Sequence, residues 1–234
     1  LNAPNIFAIS NAQQLSANQS IFEIEINSFY ALANVGFKNY AFLDLTYRSD
    51  VSSTLPTLSN QYDYFSAGLS AIISDMVELP SAIDYFKLRA SYAEVGNDTD
   101  PYQLSRAANL LTGGFIALAT SAPADNLKPE QTTSLELGFD TTLFNRVNID
   151  FTYYKSNSVD QLFRQNVPQG SGIATKFING ADIENSGIEA AINVGILTKG
   201  DFLWDVNFNY AANRSKVLEL AEGLDQLNYG NDFM

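Results

Sequence analysis

The side chains available for chemistry set the first limits on what this chain can do. Its 234 residues include neither histidine nor cysteine. Within the chain this excludes a Ser-His-Asp triad, a Cys-His pair, a disulfide framework and zinc sites built on thiolate or imidazole. Carboxylates, lysine, tyrosine and hydroxyl groups remain for catalysis or binding, and oxygen ligands remain for a hard cation such as calcium.

Paired carboxylates are the most direct route to catalysis that is still open. A glycosidase needs an acid and a second carboxylate about 5–10 Å apart. Glu130 with Glu136, and Glu184 with Glu189, are candidates for such a pair, although nothing in the sequence links their positions. We therefore do not expect an enzyme, and a carboxylate-based glycosidase is kept as an alternative.

The predicted loop 96–131 holds a separate group of candidate binding residues. They are Asn97, Asp98, Asp100 and Tyr102. A tyrosine ring stacks on apolar faces such as those of sugars, while Asn and Asp hydrogen-bond to hydroxyl groups. The same residues are also explained as turn-forming sequence with Asx hydrogen bonds. Asp98 and Asp100 offer oxygen ligands to calcium, but the spacing of an EF-hand does not follow, so no metal site and no cofactor are predicted.

The charge balance narrows the range of partners. The net charge is −13, and only 17% of residues are charged. Nucleic acid is excluded as a partner because its phosphates demand basic patches. The sequence also has no lysine- and arginine-rich run of the kind that binds anionic lipid headgroups.

Strand signals dominate the elements that must position these residues. Apolar and polar side chains alternate with a period of two in eight segments, which predicts eight strands. In the first segment, the apolar face is assigned to Phe22, Ile24, Ile26, Ser28, Tyr30 and Leu32. The segments are 22–32, 41–47, 67–73, 86–92, 135–143, 147–153, 188–196 and 202–210.

The connections between these segments alternate in length. Short and long connections follow one another without exception, and the pair 51–61 and 75–84 differs least. An up-and-down barrel in an outer membrane has short periplasmic turns and long extracellular loops. The predicted connections are 35–38, 51–61, 75–84, 96–131, 145–146, 161–184, 199–201 and 214 onward.

The two faces of the predicted strands differ in the way that a membrane wall requires. Aromatic rings on the apolar faces fall near both strand ends, which predicts two membrane–water interfaces. Charged residues lie on the opposite faces, where a wet lumen would hydrate them. The interface residues are Tyr47, Tyr92, Tyr153, Tyr210, Phe86, Phe144, Phe202 and Trp204. The predicted lumen-facing residues are Asp44, Arg48, Lys87, Arg89, Glu136, Asp140, Asp150, Glu189 and Asp205.

Two folds fit this alternation. A secreted soluble β-sandwich that binds carbohydrate would bury the apolar faces in its core. Strand length, loop alternation and the aromatic belts favour an all-β, antiparallel, up-and-down transmembrane β-barrel, to which residues 1–234 contribute about eight strands. The alternation still continues near Met234, so the chain is expected to form part of a larger barrel.

Five motifs resemble those of the SusC/RagA-type TonB-dependent outer-membrane transporters. Arg48-Ser49-Asp50-Val51-Ser52-Ser53 is similar to the family's R-x-D-x-S-S, and Tyr62–Ser66 resembles the aromatic-serine segment that follows it. The others lie at 87–98 (KLRASY and GND), 127–130 (LKPE) and 185–189 (NSGIE). Together they run in family order from about Tyr40 to Val217. Ala93-Glu94 replaces a common glycine, and a barrel-closing C-terminal aromatic residue is missing.

This resemblance implies a 22-stranded barrel closed by a plug, with the plug and the TonB-contacting box outside this chain. It implies uptake of a glycan or peptide across the cell's outer membrane, with a SusD-like surface lipoprotein and the TonB-ExbB-ExbD complex as partners. Asn97, Asp98, Asp100 and Tyr102 would then be substrate-binding candidates in an extracellular loop. Lys87 and Arg89 would contact the plug, other wall charges or the substrate.

Overall fold

Twelve strands form the framework of the part of the chain that the structure describes. The computed structural model describes residues 21–110, 114–124, 126–168, 170, 172–199 and 201–220. The strands in chain order are β1 (Ile26–Phe37), β2 (Ala41–Ser52), β3 (Gln61–Ile72), β4 (Ile83–Asn97), β5 (Ala108–Leu110), β6 (Ile116–Leu118), β7 (Glu130–Leu143), β8 (Val147–Val159), β9 (Leu162–Asn166), β10 (Thr175–Asn179), β11 (Ala181–Lys199) and β12 (Phe202–Leu220). One 3₁₀ turn covers Ile73–Asp75.

Eight of these strands form a single antiparallel sheet in the order β1-β2-β3-β4-β7-β8-β11-β12. Each long strand pairs with the next long strand along the chain, so the sheet has the up-and-down topology that the sequence predicts. The two small hairpins, β5–β6 and β9–β10, lie within the long loops and were not predicted. In the described part of the chain, no helix has the length and apolar character needed to cross a membrane.

The strands are longer than the alternation predicts, mainly at the end nearest the long loops. β12 continues to Leu220, so the connection predicted from 214 onward is wrong. The observed connection 53–60 is also shorter than 73–82, which reverses the predicted order of that pair. Beyond the apolar band both faces of a strand become polar, so the period-two signal ends while the backbone pairing continues.

The pairing register assigns each residue to one of two faces, because directly opposed residues point to the same side. One register row on the apolar face contains Leu69, Ala90, Leu137, Tyr153 and Ile188. The neighbouring row on the other face contains Ser70, Arg89, Gly138, Thr152 and Glu189. Seven of the eight predicted apolar faces agree with this register.

The face assigned to β1 is wrong. Tyr30 is paired with Arg48, and Ser28 with Asp50, so Tyr30 and its neighbours lie on the polar face. The apolar face of β1 instead carries residues 31, 33, 35 and 37, opposite Tyr47 and the apolar residues of β2. Apolar residues occur on both sides of this segment, so its periodicity is ambiguous and the pairing with β2 decides the orientation. Phe22 and Ile24 precede the strand.

The apolar face of the sheet is not covered by protein in the described residues. Large side chains on it are exposed, including Trp204 at 53% and Phe208 at 58%. A soluble sandwich would bury such a face against a second sheet. The small buried cluster lies elsewhere, among the long loops, and contains Leu55, Tyr62, Ala124 and Leu127.

Candidate functional site

An ionic network crosses the polar face at Arg89. Its Nη1 donates to Asp140, and its Nη2 donates to Asp150 Oδ1 at 2.9 Å and to Thr152 Oγ1 at 2.7 Å. Asp140 and Asp150 are directly opposed on β7 and β8, so Arg89 lies between two like charges and neutralises their repulsion. Lys87 Nζ lies 3.8 Å from Asp140 Oδ2. Because these side chains are only half-buried, the network remains open to water and to a ligand.

A ladder of amides continues this polar surface toward β12. Thr142 donates to Asn148 at 2.9 Å, and Asn193 donates to Asn207 at 2.5 Å. With Asp150 they border a shallow hollow of about 280 Å³. Amides and carboxylates can exchange hydrogen bonds with polar solutes, so this surface suits a hydrated passage.

The tyrosines predicted at the long-loop end follow a diagonal across the apolar face. Tyr47 is opposite Phe65, which lies two residues beyond the register row of Tyr92. On β8 the residue in the register row of Tyr92 is Lys155, and Tyr153 lies two residues further from the long loops. On β12 the residue in the row of Tyr153 is Ala212, and Tyr210 again lies two residues further from the long loops. The diagonal therefore drops by one residue per strand, so the tyrosines are level if the strands tilt by roughly 35°. Outer-membrane barrels have strand tilts of about 35–45°.

Three of the other predicted belt residues, Phe86, Phe202 and Trp204, occupy the opposite ends of the same face, whereas Phe144 lies in the turn that follows β7. Phe202 and Trp204 begin β12, eight and six residues before Tyr210. Phe86 is at the corresponding end of β4, and its ring lies 6.1 Å from that of Phe139. The segments beyond the tyrosine diagonal, including the ends of β2 and β3, therefore lie outside the apolar band.

The first part of the R-x-D-x-S-S motif forms a hydrogen-bonded cluster around buried Asp50, on the loop side of the tyrosine diagonal. We call this cluster the Asp50 bracket. Asp50 is 3% exposed and accepts hydrogen bonds from Arg48 Nε at 2.8 Å and Tyr64 Oη at 2.7 Å. Burial raises the pKa of the Asp50 carboxyl, but hydrogen bonds from Ser28, Tyr64 and Arg48 outweigh it, so the pKa is lower than usual. The motif aspartate is therefore held as a carboxylate.

The second part of the motif ties β2 to the predicted binding loop. Ser52 and Thr54 are buried, and the hydroxyls of both donate to Asp98 Oδ2, that of Thr54 at 3.0 Å. Ser53 bonds the segment before β1 through Glu25. Three consecutive hydroxyl residues thus hold two neighbouring segments at the base of the loops.

Tyr62 fills the gap that opens where β3 and β4 separate beyond the Ser66–Ala93 pair. A Cβ atom on Gly96 would lie 2.3 Å from its ring, so only glycine allows this packing. Burial, with Asp98 nearby, raises the pKa of Tyr62 to about 12. The ring belongs to the buried loop cluster with Leu55 and Leu127.

Asn179 connects the two longest loops. Its amide group donates to the carbonyl oxygens of Lys128 and Asp160, and its carbonyl oxygen accepts from the backbone of Lys128. Phe177 and Leu162 pack against the buried cluster from the same loop. The loops 98–129 and 160–180 are therefore joined into one unit above the sheet.

The four predicted substrate-binding residues do not form one group. Asp98 is engaged by Ser52 and Thr54, and Asn97 donates to Glu130 at 3.2 Å. Asp100 is exposed, and the Tyr102 hydroxyl accepts from the backbone of residue 23. Asp100 and the exposed ring of Tyr102 are the members left to contact a ligand. No group of three acidic side chains suited to a metal ion occurs in the described residues.

The carboxylate pairs nominated for glycosidase chemistry are too far apart along their strands. Glu130 and Glu136 are six residues apart on β7, which is roughly 20 Å along a strand. Glu189 is five residues from Glu184 on β11, and Glu184 is bound by Lys155 at 2.8 Å. Neither spacing matches the roughly 5–10 Å that a glycosidase requires.

The register places the predicted lumen-facing residues on the polar face: Asp44, Arg48, Lys87, Arg89, Glu136, Asp140, Asp150, Glu189 and Asp205. The sequence reasoning missed the glycines between them. At Gly187, the Tyr154 hydroxyl and the Ala212 carbonyl oxygen pack so close to the backbone that a Cβ atom would clash with them. At Gly138, the Arg89 guanidinium packs over the backbone in the same way. The signal was available, since both glycines occupy polar-face positions within alternating strands.

A two-faced antiparallel sheet with long loops at one end and half-buried charges on one face defines part of an outer-membrane barrel wall. Residues 2–233 match the family model described as TonB dependent receptor-like, beta-barrel. The chain belongs to this family. It is 31% identical over 216 residues to TonB-dependent receptor P3 of Formosa agariphila, covering 87% of this chain and 21% of that protein. It is 28% identical over 206 residues to receptor P39 of the same organism, covering 84% of this chain and 20% of that protein.

A solved structure described as the RagAB peptide importer in the closed-closed state has the same fold. The TM-score is 0.83 at 21% identity, covering 98% of this chain and 26% of that one. The resemblance drawn from the five motifs is thereby confirmed. The chain spans about a fifth of the length of the curated relatives it matches.

Proposed function

We propose that this chain is a wall segment of a TonB-dependent importer in the cell's outer membrane. Its polar face lines the lumen, and its apolar face contacts lipid. A plug and a TonB box outside this chain complete the transporter, with 22 strands in the whole barrel. The TonB-ExbB-ExbD complex supplies the energy, and a SusD-like lipoprotein captures a glycan or peptide above the long loops.

The observation that carries this proposal is that, between the two aromatic belts, the charges of the sheet lie on one face, and most of the exposed apolar side chains lie on the other. Charges such as Arg89 and Asp150 share the face that carries the amide ladder. The opposite face is apolar and exposed from Leu69 to Phe208. Only a wall with water on one side and lipid on the other leaves both faces stable.

The roles of individual wall residues follow from their contacts. Lys87 and Arg89 are placed to bind the plug, neighbouring carboxylates or a passing substrate. Asp100 and Tyr102 are the exposed candidates for substrate contact, while Asn97 and Asp98 hold the loop base. Support for a peptide comes from the description of the RagAB structures, and a glycan is the other candidate.

Cysteine labelling of two adjacent residues tests the assignment of the faces. Ser91 and Ala90 are neighbours on opposite faces of β4, and the chain has no cysteine of its own. In the intact protein in lipid vesicles, a water-soluble maleimide should label Ser91→Cys at least tenfold faster than Ala90→Cys. A lipid-soluble maleimide should reverse that order. Equal labelling of both by the water-soluble reagent would falsify the lumen assignment.

Uptake measurements test the transport function separately. Cells that express the intact protein should accumulate a fluorescent oligosaccharide or peptide drawn from the growth medium. Removal of TonB, or a protonophore, should abolish this uptake while surface binding persists. Uptake that continues without TonB would show that the energy coupling is wrong, whatever the labelling result.

A further inference from the structure

A basic cluster lies on the apolar face just beyond the tyrosine diagonal. Lys155 on β8 and Arg214 on β12 are both paired with Ser186 on β11, so their Cα atoms are about 10 Å apart. Lys216 lies one pair further toward the loops, opposite Glu184. The sequence contains no basic run, and the strand register brings Lys155 beside Arg214 and Lys216, which lie far from it in the sequence.

The excess of positive charge is confined to two register rows, the row of Lys155 and Arg214 and the next row toward the loops, which contains Glu184 and Lys216. Glu184 is the one carboxylate among the three cations, and it binds Lys155 Nζ at 2.8 Å. Asp182 and Glu219 are paired with each other further toward the loops. On β4, the corresponding position is acidic, because Tyr92 donates to Glu94 at 2.6 Å. The excess of two positive charges is thus a local feature of β8, β11 and β12.

The level of this cluster matches that of a lipid headgroup. Lys155 is the next residue after Tyr153 on the same face, and Arg214 is the second after Tyr210. Tyrosine rings mark the boundary between acyl chains and headgroups, so Lys155, one position beyond it on the same face, lies at the height of lipid phosphates. Arg214 and Lys216, two and three positions beyond Tyr210, lie further on the headgroup side. Basic residues at that height attract anionic lipid headgroups.

An apolar hollow of about 650 Å³ lies beside the cluster on the membrane side. Ala71 and Ala90 leave space between larger residues, and Phe151 and Tyr153 form its edge at β8. Tyr153 therefore separates the hollow from Lys155. A molecule with a phosphate among the cations could place an acyl chain in the hollow.

We propose that Lys155, Arg214 and Lys216 form a binding site for the phosphate of an anionic outer-leaflet lipid, with one acyl chain in the hollow beside Tyr153. The lipid would be retained by both parts, so neither a neutral lipid nor free phosphate should bind as well. Binding at this site is separate from uptake through the lumen.

Native mass spectrometry of the intact protein in detergent, with added diphosphoryl lipid A, tests the site. The triple variant K155Q/R214Q/K216Q should lose at least about tenfold in affinity, whereas Lys38→Gln in a short turn should have no effect. Glu184→Gln should strengthen binding severalfold, because it removes the carboxylate among the cations. Unchanged affinity in the triple variant, or weaker binding in Glu184→Gln, would overturn the proposal.

Ala90→Phe tests the part of the site that binds the acyl chain. It fills the hollow without altering a charge, so lipid A binding should fall at least threefold, while the water-soluble maleimide should still label Ser91→Cys in the Ala90→Phe background. Competition with inorganic phosphate separates the two sources of the anion. If millimolar inorganic phosphate displaces lipid A completely, or if Ala90→Phe binds lipid A normally, the site is a phosphate site and the lipid proposal fails.

Discussion

The wall of the sheet and its long-loop end are stabilised in different ways. In the wall, apolar side chains such as Phe208 are exposed and charges such as Arg89 are half-buried. At the loop end, Leu127 is 2% exposed and Asp50 is 3% exposed. The wall relies on backbone ladders and surrounding lipid, whereas the loop end has a protein core of its own.

This difference teaches where side-chain substitutions should matter. In a wall, lipid or water can replace a deleted side chain, so the loss is small. In a packed core, the deleted volume remains as a cavity. The largest effects on stability are therefore expected from residues that touch other protein groups, and these lie mostly beyond the tyrosine diagonal.

Leu127→Ala should give the largest effect. Its side chain packs with Leu55 and Tyr62, so its loss should cost roughly 2–5 kcal/mol of local stability. Hydrogen exchange of the backbone amides in loops 98–129 and 160–180 should accelerate accordingly. The control is Leu137→Ala on the exposed apolar face, which should leave the exchange of these loops unchanged. Similar effects for both variants would remove the distinction between the two regions.

Gly187→Ala should be the most damaging small substitution in the wall itself. A Cβ atom there would lie 2.5 Å from the Ala212 carbonyl oxygen and 2.6 Å from the Tyr154 hydroxyl. Because one of these is backbone, the strands must shift, at a cost of about 1–3 kcal/mol. Gly195→Ala, in the same strand with its nearest contact at 3.6 Å, is the control. Denaturant unfolding in detergent should separate the two variants.

The sequence predicts the wall well because lipid and water impose a period of two on the strands that they contact. Eight strands, their order and seven of eight faces follow from that alternation alone. It fails for β1, where Tyr30 and Leu32 place apolar residues on the polar face. There the neighbouring strand, and not the solvent, determines the orientation.

The loop end could not be predicted in the same way. The bracket at Asp50, the contacts of Asp98 and the junction at Asn179 join residues far apart in sequence. No periodicity records such contacts, because they depend on how the long loops fold back over the sheet. The motif resemblance identified Arg48, Asp50 and Ser52 as a group, but only the geometry explains it as an anchor for the loops.

The Asp50 bracket should make the loop end sensitive to acid. The carboxyl pKa is lowered in the folded protein, so its stabilising contribution is present above the unfolded value of about 3.9 and is lost as the pH falls through the folded pKa. Asp50→Asn should cost about 1–2 kcal/mol at neutral pH and should lack this acid dependence. Limited proteolysis of the loops from about pH 2 to pH 7, with pepsin at the acid end, measures both effects. An identical acid profile in the variant would assign the dependence to another group.

Arg89→Gln should have the smallest effect on stability, although Arg89 makes the most ionic contacts in the wall. The network is open to water, and exposed ion pairs contribute about 0–1 kcal/mol. Asp140 and Asp150 would then face each other without a cation between them, so raising the salt concentration should recover part of any loss. In the same denaturant experiment, the free energy of unfolding of this variant should be close to that of the wild type and well above that of Gly187→Ala. A cost of several kcal/mol would mean that the network acts as a buried structural core. The wall would then resemble the loop end in having a protein core of its own.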